Sequence, residues 1–73
     1  NILGKEKIGK RIKSIREIQG ISQKDLAYSA DLDRSYIASV ENGRRNISIV
    51  NIEKIASAMK ITISEFFAGE EFN

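Results

Sequence analysis

The stretch "ISQKDLAYSADLDRSYIASVENGRRNIS", residues 21–48, decides the fold because its pattern predicts two short helices joined by a tight turn. Ser22 and Asp33 are residue types that favour the N-cap position, where a side-chain oxygen accepts a hydrogen bond from a free backbone N–H. Their spacing predicts one helix over residues 23–30 and a second over residues 34–42.

The apolar pattern around this turn is typical of a helix–turn–helix. Such a unit needs a small residue in its first helix, so that the second can cross close to it, and apolar residues on the inner face of the second. Ala27 is the small residue, Leu32 follows the turn, and Ile37 and Val40 lie one turn apart on the inner face. Asp31 stands where glycine is usual, although aspartate tolerates a left-handed backbone better than most residues. An ordinary helical hairpin is the alternative.

Three further helices are predicted in the rest of the chain, and no strand-like alternation competes with them. Their apolar positions are Ile8, Ile12 and Ile15 in the first helix, Ile49, Ile52, Ile55, Ala56 and Met59 in the fourth, and Phe66 and Phe67 in the fifth. Gly20 is expected to end the first helix, Ser48 to cap the fourth and Ser64 to cap the fifth. Residues 69–73 are expected to fray. The class is therefore all-α, with five short helices in a single domain over residues 1–73.

The composition excludes several kinds of site. The 73 residues contain no cysteine and no histidine, which removes disulfides, cysteine–histidine zinc sites and histidine general bases. There is no phosphate-binding glycine loop, and the acidic residues are explained by helix starts or by a solvated end. We therefore expect no enzyme activity, no cofactor and no metal. Apolar runs of two or three residues are far short of the roughly 20 that a membrane span needs, so we expect a cytoplasmic protein.

The charge is distributed unevenly, although the net charge is only +2. Residues 1–24 carry seven Lys or Arg against two Glu, whereas residues 25–46 carry three Arg against four acids. Residues 47–73 carry two Lys against four Glu. A basic N-terminal third can attract a polyanion such as nucleic acid. On charge alone, a solvated helix face is the favoured interpretation.

From about residue 8 to residue 67 the chain resembles the helix–turn–helix family of lambdoid phage repressors and Cro, called the XRE family. The most specific segments are Ser22-Gln23-x-x-Leu26-Ala27, Ile37-x-x-Val40-Glu41-x-Gly43 and the later Ile55-Ala56-x-Ala58-Met59. Within the family, "LDRSYIASVENGRRNIS" is most similar to the controller proteins of restriction–modification systems. The resemblance implies a compact five-helix, lambda-repressor-like DNA-binding domain, with its helix–turn–helix unit at about residues 23–42.

The second helix of such a unit enters the major groove with its N-terminal and outward positions. With Ile37 and Val40 facing inward, those positions belong to Arg34, Ser35 and Ser39, which we expect to contact bases. Arg34 is the expected main base reader, because arginine can bond to guanine O6 and N7 at once. A solvated or ion-paired arginine is the alternative.

A second set of residues is expected to contact the DNA backbone, which fixes register rather than sequence. They are Gln23, Tyr36, Asn42, Arg44, Arg45 and Asn46. The role of Gln23 is implied by the resemblance, and the start of a helix also suits an anion. Tyr36 has two open interpretations, since its hydroxyl could reach a phosphate or a base, or its ring could simply lie at the core edge. Gln23 could equally be an ordinary surface residue, and the segment after residue 42 could be a plain polar loop.

The resemblance also implies a buried ion pair between Arg16 and Glu41, which would join the first helix to the end of the third and orient the reading helix. Arg16 reaching DNA directly is the alternative. The apolar tail contains Ile61, Ile63, Phe66, Phe67 and Phe72. Some of these side chains complete the core, and we expect Ile63 and Phe67 to form a twofold dimer interface, since such motifs commonly bind as dimers. An entirely buried tail is the alternative.

These expectations converge on one function. The chain is interpreted as a sequence-specific, double-stranded DNA-binding transcriptional regulator, which binds a near-palindromic operator as a homodimer and controls a restriction–modification operon. RNA polymerase is a further candidate partner, and no membrane is involved. An antitoxin-type or other small phage-like repressor, whose main partner is a protein, is the alternative function.

Overall fold

The computed structural model describes residues 2–73 of the chain, and side chains from residue 4 onward. Its elements are α1 (Ile2–Gln19), α2 (Gln23–Ala30), α3 (Arg34–Glu41), α4 (Ile49–Ala58), α5 (Ile63–Phe66) and a short 3-10 helix (Glu70–Phe72). Across residues 2–73 all regular structure is helical, which confirms the predicted all-α class with five α-helices. The single domain predicted over residues 1–73 includes residue 1, which lies outside the described residues, and its limits remain a prediction.

Two of the predicted helix starts carry the expected side-chain caps. Ser22 Oγ accepts a hydrogen bond from the Asp25 backbone N–H at 3.0 Å, and Ser48 Oγ accepts one from the Asn51 N–H at 3.2 Å. Asp33 occupies the cap position of α3 with extended backbone, but its side chain makes no capping bond. Local sequence therefore places these three helix starts correctly.

The predicted cap of the fifth helix is wrong by two residues. Thr62, not Ser64, begins α5: its Oγ1 accepts from the Glu65 N–H at 3.0 Å, and Glu65 Oε1 accepts from the Thr62 N–H at 2.8 Å. This reciprocal arrangement is a capping box, which requires Glu or Gln three residues after the cap. Ser64 has Phe67 at that position, so it cannot form one.

The turn between α2 and α3 contains the left-handed residue that the helix–turn–helix pattern requires. Asp31 has φ 57° and ψ 48°, in the region that aspartate visits more readily than most residues. Its N–H donates to the Tyr28 carbonyl at 3.2 Å, and the Leu32 N–H donates to the Ala27 carbonyl at 2.9 Å. The carbonyls of Ala27 and Tyr28, in the last turn of α2, are thus satisfied although glycine is absent from the turn.

α3 packs against both α1 and α2, while α4 packs against α2 and α5 against α4. The core residues are Ile12, Ile15, Leu26, Ala27, Ala30, Ile37, Val40, Ile52, Ile55, Met59 and Phe66. Ile49, expected on the buried face of α4, is exposed instead. It is the first residue of its helix, and Ile47, just before the cap, packs against the core at this end of α4.

The last residues are ordered rather than frayed, contrary to expectation. Residues Glu70–Phe72 form the 3-10 helix, which packs against α1. The Phe72 ring centroid lies 5.0 Å from that of Phe67 and 6.2 Å from that of Phe66. Arg11 donates from Nε to the Phe66 carbonyl at 2.6 Å and from Nη2 to the Glu65 carbonyl at 2.7 Å. This arginine and the aromatic contacts hold the tail against α1. Over residues 2–73, no helix has the length and apolar character of a membrane span.

Candidate nucleic-acid interface

The two faces of α3 differ sharply. Ile37 and Val40 are buried against the core, whereas Arg34 and Ser35, in the first turn, are exposed. Ser39 is half-buried and lies one turn beyond Ser35 on the same face. The structure therefore brings the three residues expected to contact bases onto the outer side of one short helix.

A buried ion pair joins the C-terminal end of α3 to α1. Arg16 Nε donates to Glu41 Oε2 at 2.7 Å, and Arg16 Nη2 donates to Glu41 Oε1 at 3.1 Å. Arg16 Nη1 also donates to the Ile21 carbonyl at 2.9 Å. The Glu41 side chain is only 2% exposed and that of Arg16 only 12%. The hydrogen bond to Glu41 raises the pKa of the Arg16 guanidinium above its ordinary value, against the opposing effect of burial.

Gln23 belongs to the same buried network. From the first residue of α2, its Nε2 donates to Glu41 Oε1 at 3.0 Å. Glu41 thus accepts three hydrogen bonds from two elements, and the carboxylate fixes α1, α2 and α3 together. The side-chain nitrogen of Gln23 thus points towards the buried carboxylate of Glu41. The DNA-backbone contact expected of this residue remains a prediction.

Gly9 is a positioning residue that the sequence pattern did not single out. A Cβ atom at Gly9 would lie 2.2 Å from the Val40 carbonyl oxygen and 2.9 Å from that of Glu41, so α1 and the end of α3 touch backbone to backbone here. The signal was present, because an isolated glycine inside a helical pattern usually has a packing reason.

The loop after α3 contains most of the residues that are predicted to contact the DNA backbone, and it exposes them to solvent. Gly43 has φ 71°, and its N–H donates to the Val40 carbonyl at 3.0 Å. The Arg44 N–H donates to the Ser39 carbonyl at 3.0 Å, which closes the end of the helix. Arg44, Arg45 and the neighbouring Asn42 and Asn46 are exposed. The left-handed glycine thus turns two arginines to the solvent beside the outer face of α3.

Tyr36 connects this loop to α4. Its ring lies 4.9 Å from the Arg45 guanidinium carbon, and its hydroxyl oxygen accepts from Asn51 Nδ2 at 2.9 Å. Tyr36 is half-buried, packs against the core edge and lines a groove together with Ser35. Its contact with DNA remains a prediction. Nothing in the sequence pattern singled out Asn51, because side-chain pairing between helices leaves no local signal.

The C-terminal apolar residues divide into core and surface. Phe66 is fully buried, Ile63 is half-buried, and Phe67 is 37% exposed. The Phe66 and Phe67 rings meet edge to face with centroids 5.0 Å apart. Phe67 is therefore a large apolar side chain that is partly exposed to solvent and packs against the Phe66 and Phe72 rings.

Comparison with known proteins identifies relatives with this architecture. The sequence profile of the helix-turn-helix family matches residues 12–66. Control protein C.MunI of a Mycoplasma species is 46% identical over 68 residues, which are 92% of both chains. The crystal structure of the restriction–modification controller protein C.AhdI from Aeromonas hydrophila superposes with a TM-score of 0.84 at 45% identity, covering 88% of this chain and 97% of that one. The controller protein C.Esp1396I, solved as a tetramer on its natural 35 base-pair operator, superposes with a TM-score of 0.82 at 38% identity, covering 90% of this chain and 84% of that one.

Proposed function

We propose the function of this chain from the premise that it belongs to the XRE-type helix–turn–helix family, a family of DNA-binding transcriptional regulators. The chain is a sequence-specific regulator that binds duplex DNA as a homodimer at a near-palindromic operator and controls a restriction–modification operon. The observation that carries the proposal is the outer face of α3, with Arg34 and Ser35 exposed on a helix whose opposite face is buried and ion-paired. The likeness to controller proteins supports this role over that of an antitoxin-type repressor.

Base recognition follows from the position of α3. With its N-terminal turn in the major groove, Arg34 would donate two hydrogen bonds to guanine O6 and N7, which no other base pair offers in that arrangement. Ser35 and Ser39, whose hydroxyls both donate and accept, would contact neighbouring base edges.

Contacts to phosphates would hold α3 in register. Arg44, Arg45 and Asn46 follow the helix directly, and Asn42 ends it. Exposed cations beside the reading face neutralise phosphates and release counterions, which strengthens binding to any duplex sequence. Gln23 at the start of α2, together with Tyr36, would complete the set of backbone contacts.

The homodimer interface is assigned to Phe67 and Ile63 at the C-terminal side. Dimers of this motif bind two half-sites separated by about one helical turn of DNA, roughly 34–36 Å. A twofold axis through this surface would relate the two α3 helices. Phe67→Asp should shift the protein towards monomer in sedimentation equilibrium, because a charge would replace the exposed ring at the interface. Phe67→Leu is the matched control that keeps the site apolar, and an intact dimer in Phe67→Asp would place the interface elsewhere.

The proposal also includes control of the operon by the number of operator sites that the protein occupies. The likeness to controller proteins implies that binding at one site activates the operon, with RNA polymerase as a candidate partner, and that further occupancy represses it. A regulator of this kind acts where its operator lies, which supports the cytoplasmic location expected from the sequence.

The test is in vitro selection of bound sequences from random duplex DNA. We expect enrichment of a consensus with two related half-sites about one helical turn apart. A lack of enrichment would contradict sequence-specific binding, and a single half-site would contradict the homodimer. The selected duplex then serves as the ligand for the variants described below.

A further inference from the structure

Arg11 lies on α1 but makes its hydrogen bonds to the end of α5. Its Nε donates to the Phe66 carbonyl at 2.6 Å, and its Nη2 donates to the Glu65 carbonyl at 2.7 Å. Arginine side chains are suitable donors for the last carbonyls of a helix, which have few partners within the helix itself. The half-buried guanidinium group therefore joins the last residues of α5 to α1 from the side.

The backbone that follows α5 also packs on Arg11. Gly69 is buried, and a Cβ atom at this position would lie 2.7 Å from both the guanidinium carbon and Nε of Arg11. Gly69 has φ −70°, a value that any residue adopts, so glycine is needed here for space and not for backbone freedom. Residues 67–73, the C-terminal tail, thus pass directly over the arginine.

α5 is too short to hold its own position. It has four residues, whereas isolated helices shorter than about 12–15 residues are marginal in water. Phe66 anchors it in the core, but Phe67, the next residue, is 37% exposed. Ile63 and Phe67, the residues assigned to the dimer interface, therefore depend on contacts to α1 as well as on their connection to α4.

α1 holds α3 in the same way. Arg16, five residues after Arg11, is paired with Glu41 at the end of α3. Gly9 lets the backbones of α1 and α3 touch. One helix thus fixes both the reading helix and the segment assigned to the dimer interface. In a homodimer, the separation of the two reading helices would be set through α1 of each subunit.

We propose that Arg11 is a positioning residue for the homodimer, which fixes α5 and the C-terminal tail to α1 and thereby sets the half-site separation that the dimer accepts. Arg11 acts through α5 and contacts neither the DNA nor the partner subunit. This inference rests on the proposed function, in particular on a dimer interface at Ile63 and Phe67.

Binding to duplexes with altered spacing tests the inference. The selected duplex is compared with duplexes that have one base pair more or one fewer between the same half-sites. One base pair moves a half-site by about 3.4 Å along the axis and rotates it by about 34°, roughly a tenth of a turn. We expect the wild type to bind the selected spacing more tightly, and the ratio of dissociation constants between spacings to move towards one in Arg11→Met.

This ratio separates positioning from a general loss of stability. A smaller folded fraction would weaken binding to all three duplexes equally and would leave the ratio unchanged. Discrimination between bases within a half-site should also stay unchanged in Arg11→Met, because the outer face of α3 is intact. Methionine retains an apolar stem against α1 and removes the donors.

The dimer dissociation constant, measured by sedimentation equilibrium without DNA, gives a second readout. If the tail of each free Arg11→Met subunit were docked about a third of the time, both subunits would be competent about a ninth of the time, and the dissociation constant would rise about ninefold. Arg11→Lys keeps a cationic donor for one carbonyl and should lie between Arg11→Met and the wild type.

Two further variants control for charge and for folding. Lys13→Ala removes a cation from an exposed position of the same helix, and it should leave both the spacing ratio and the dimer dissociation constant unchanged. Gly69→Ala keeps every charge and every core residue but places a methyl group against the guanidinium group. It should reproduce the effects of Arg11→Met, and it provides the test should Arg11→Met fail to fold.

The outcomes distinguish this inference from the function on which it rests. A wild type that selects no pair of half-sites would overturn the proposed homodimeric function, and the inference with it. A wild type that prefers one spacing, with the same spacing ratio in Gly69→Ala and in the folded Arg11 variants, would overturn the inference alone. An equal change of the ratio in Lys13→Ala would also overturn it, since charge on α1 would then be the cause.

Discussion

The two sides of the eight-residue helix α3 differ in environment: the inner side is buried in the protein and the outer side is exposed to solvent. On the inner side, Ile37 and Val40 fill the core, and Glu41 accepts hydrogen bonds from two other elements. On the outer side, Arg34 and Ser35 are exposed. We infer that the inner side sets where the helix lies, and that the outer side sets what it binds. Changes on the inner side should alter stability and all DNA binding together, whereas changes on the outer side should alter specificity and leave stability intact.

The largest effect is expected at the inner ion pair. Glu41→Ala leaves Arg16 buried without its carboxylate and removes the acceptor for Gln23. Loss of one partner of a buried pair typically costs about 3–5 kcal/mol. We expect a decrease of that order in the free energy of unfolding, measured by urea titration, with binding to all duplexes weakened in proportion to the folded fraction.

The double variant Arg16→Met/Glu41→Leu separates charge from packing. Replacing both charges by apolar groups of similar size is often neutral, so it should recover most of the lost stability. If Glu41→Ala lowered the free energy of unfolding by less than about 1 kcal/mol, the ion pair would behave like an exposed one. The inner side of α3 would then not be held rigidly by this pair.

Gly9→Ala should have the next largest effect. Alanine is the better helix former by about 1 kcal/mol, so local propensity alone would stabilise α1. The added Cβ, however, would lie 2.2 Å from the Val40 carbonyl oxygen, and overpacking of a close contact costs about 1–3 kcal/mol. We expect net destabilisation in urea unfolding, whereas Lys13→Ala on the exposed face of α1 should be neutral. A Gly9→Ala protein more stable than the wild type would show that α3 can move away from α1 freely.

The fold could be predicted from sequence wherever a local rule decides the structure. Ser22 and Ser48 cap their helices, and Asp31 adopts the left-handed turn, because these outcomes depend on the residue and its near neighbours. The capping box at Thr62 is also encoded locally, by the Glu65 three residues after it, so a local signal for the correct cap is present although the predicted cap at Ser64 is wrong.

Contacts between distant elements could not be predicted in the same way. Arg11 donates to the Phe66 and Glu65 carbonyls, and backbone acceptors leave no mark in a sequence. Asn51 pairs with Tyr36 across two helices, which depends on the packing of α4 and not on spacing along the chain. Of the candidate site, the outer placement of Arg34 followed from periodicity and the Arg16–Glu41 pair was implied by the family resemblance. The Gln23 bond to Glu41 and the close approach at Gly9 required the fold.

Arg34→Ala tests the outer side. Loss of a bidentate contact to guanine should reduce discrimination at one or two base pairs, each by about 1–3 kcal/mol. The free energy of unfolding should stay within about 0.5 kcal/mol of the wild type, because the residue is exposed. Arg34→Lys keeps the charge without the planar fork and should also lose discrimination. Unchanged specificity in the alanine variant would remove Arg34 as a base reader.

The smallest effects are expected in the loop, where a comparison of two neighbouring arginines separates charge from geometry. Arg44→Ala and Arg45→Ala should each reduce the slope of log K against log salt concentration by about 0.9, the value for one phosphate contact. Arg45 also lies over the Tyr36 ring, so its loss should weaken binding further by an amount that persists at high salt. Arg44 makes no such ring contact among those found over residues 2–73 and should show the charge effect alone. Identical salt titrations for the two variants would mean that Arg45 contributes only its charge, and an unaltered slope in both would place the phosphate contacts outside this loop.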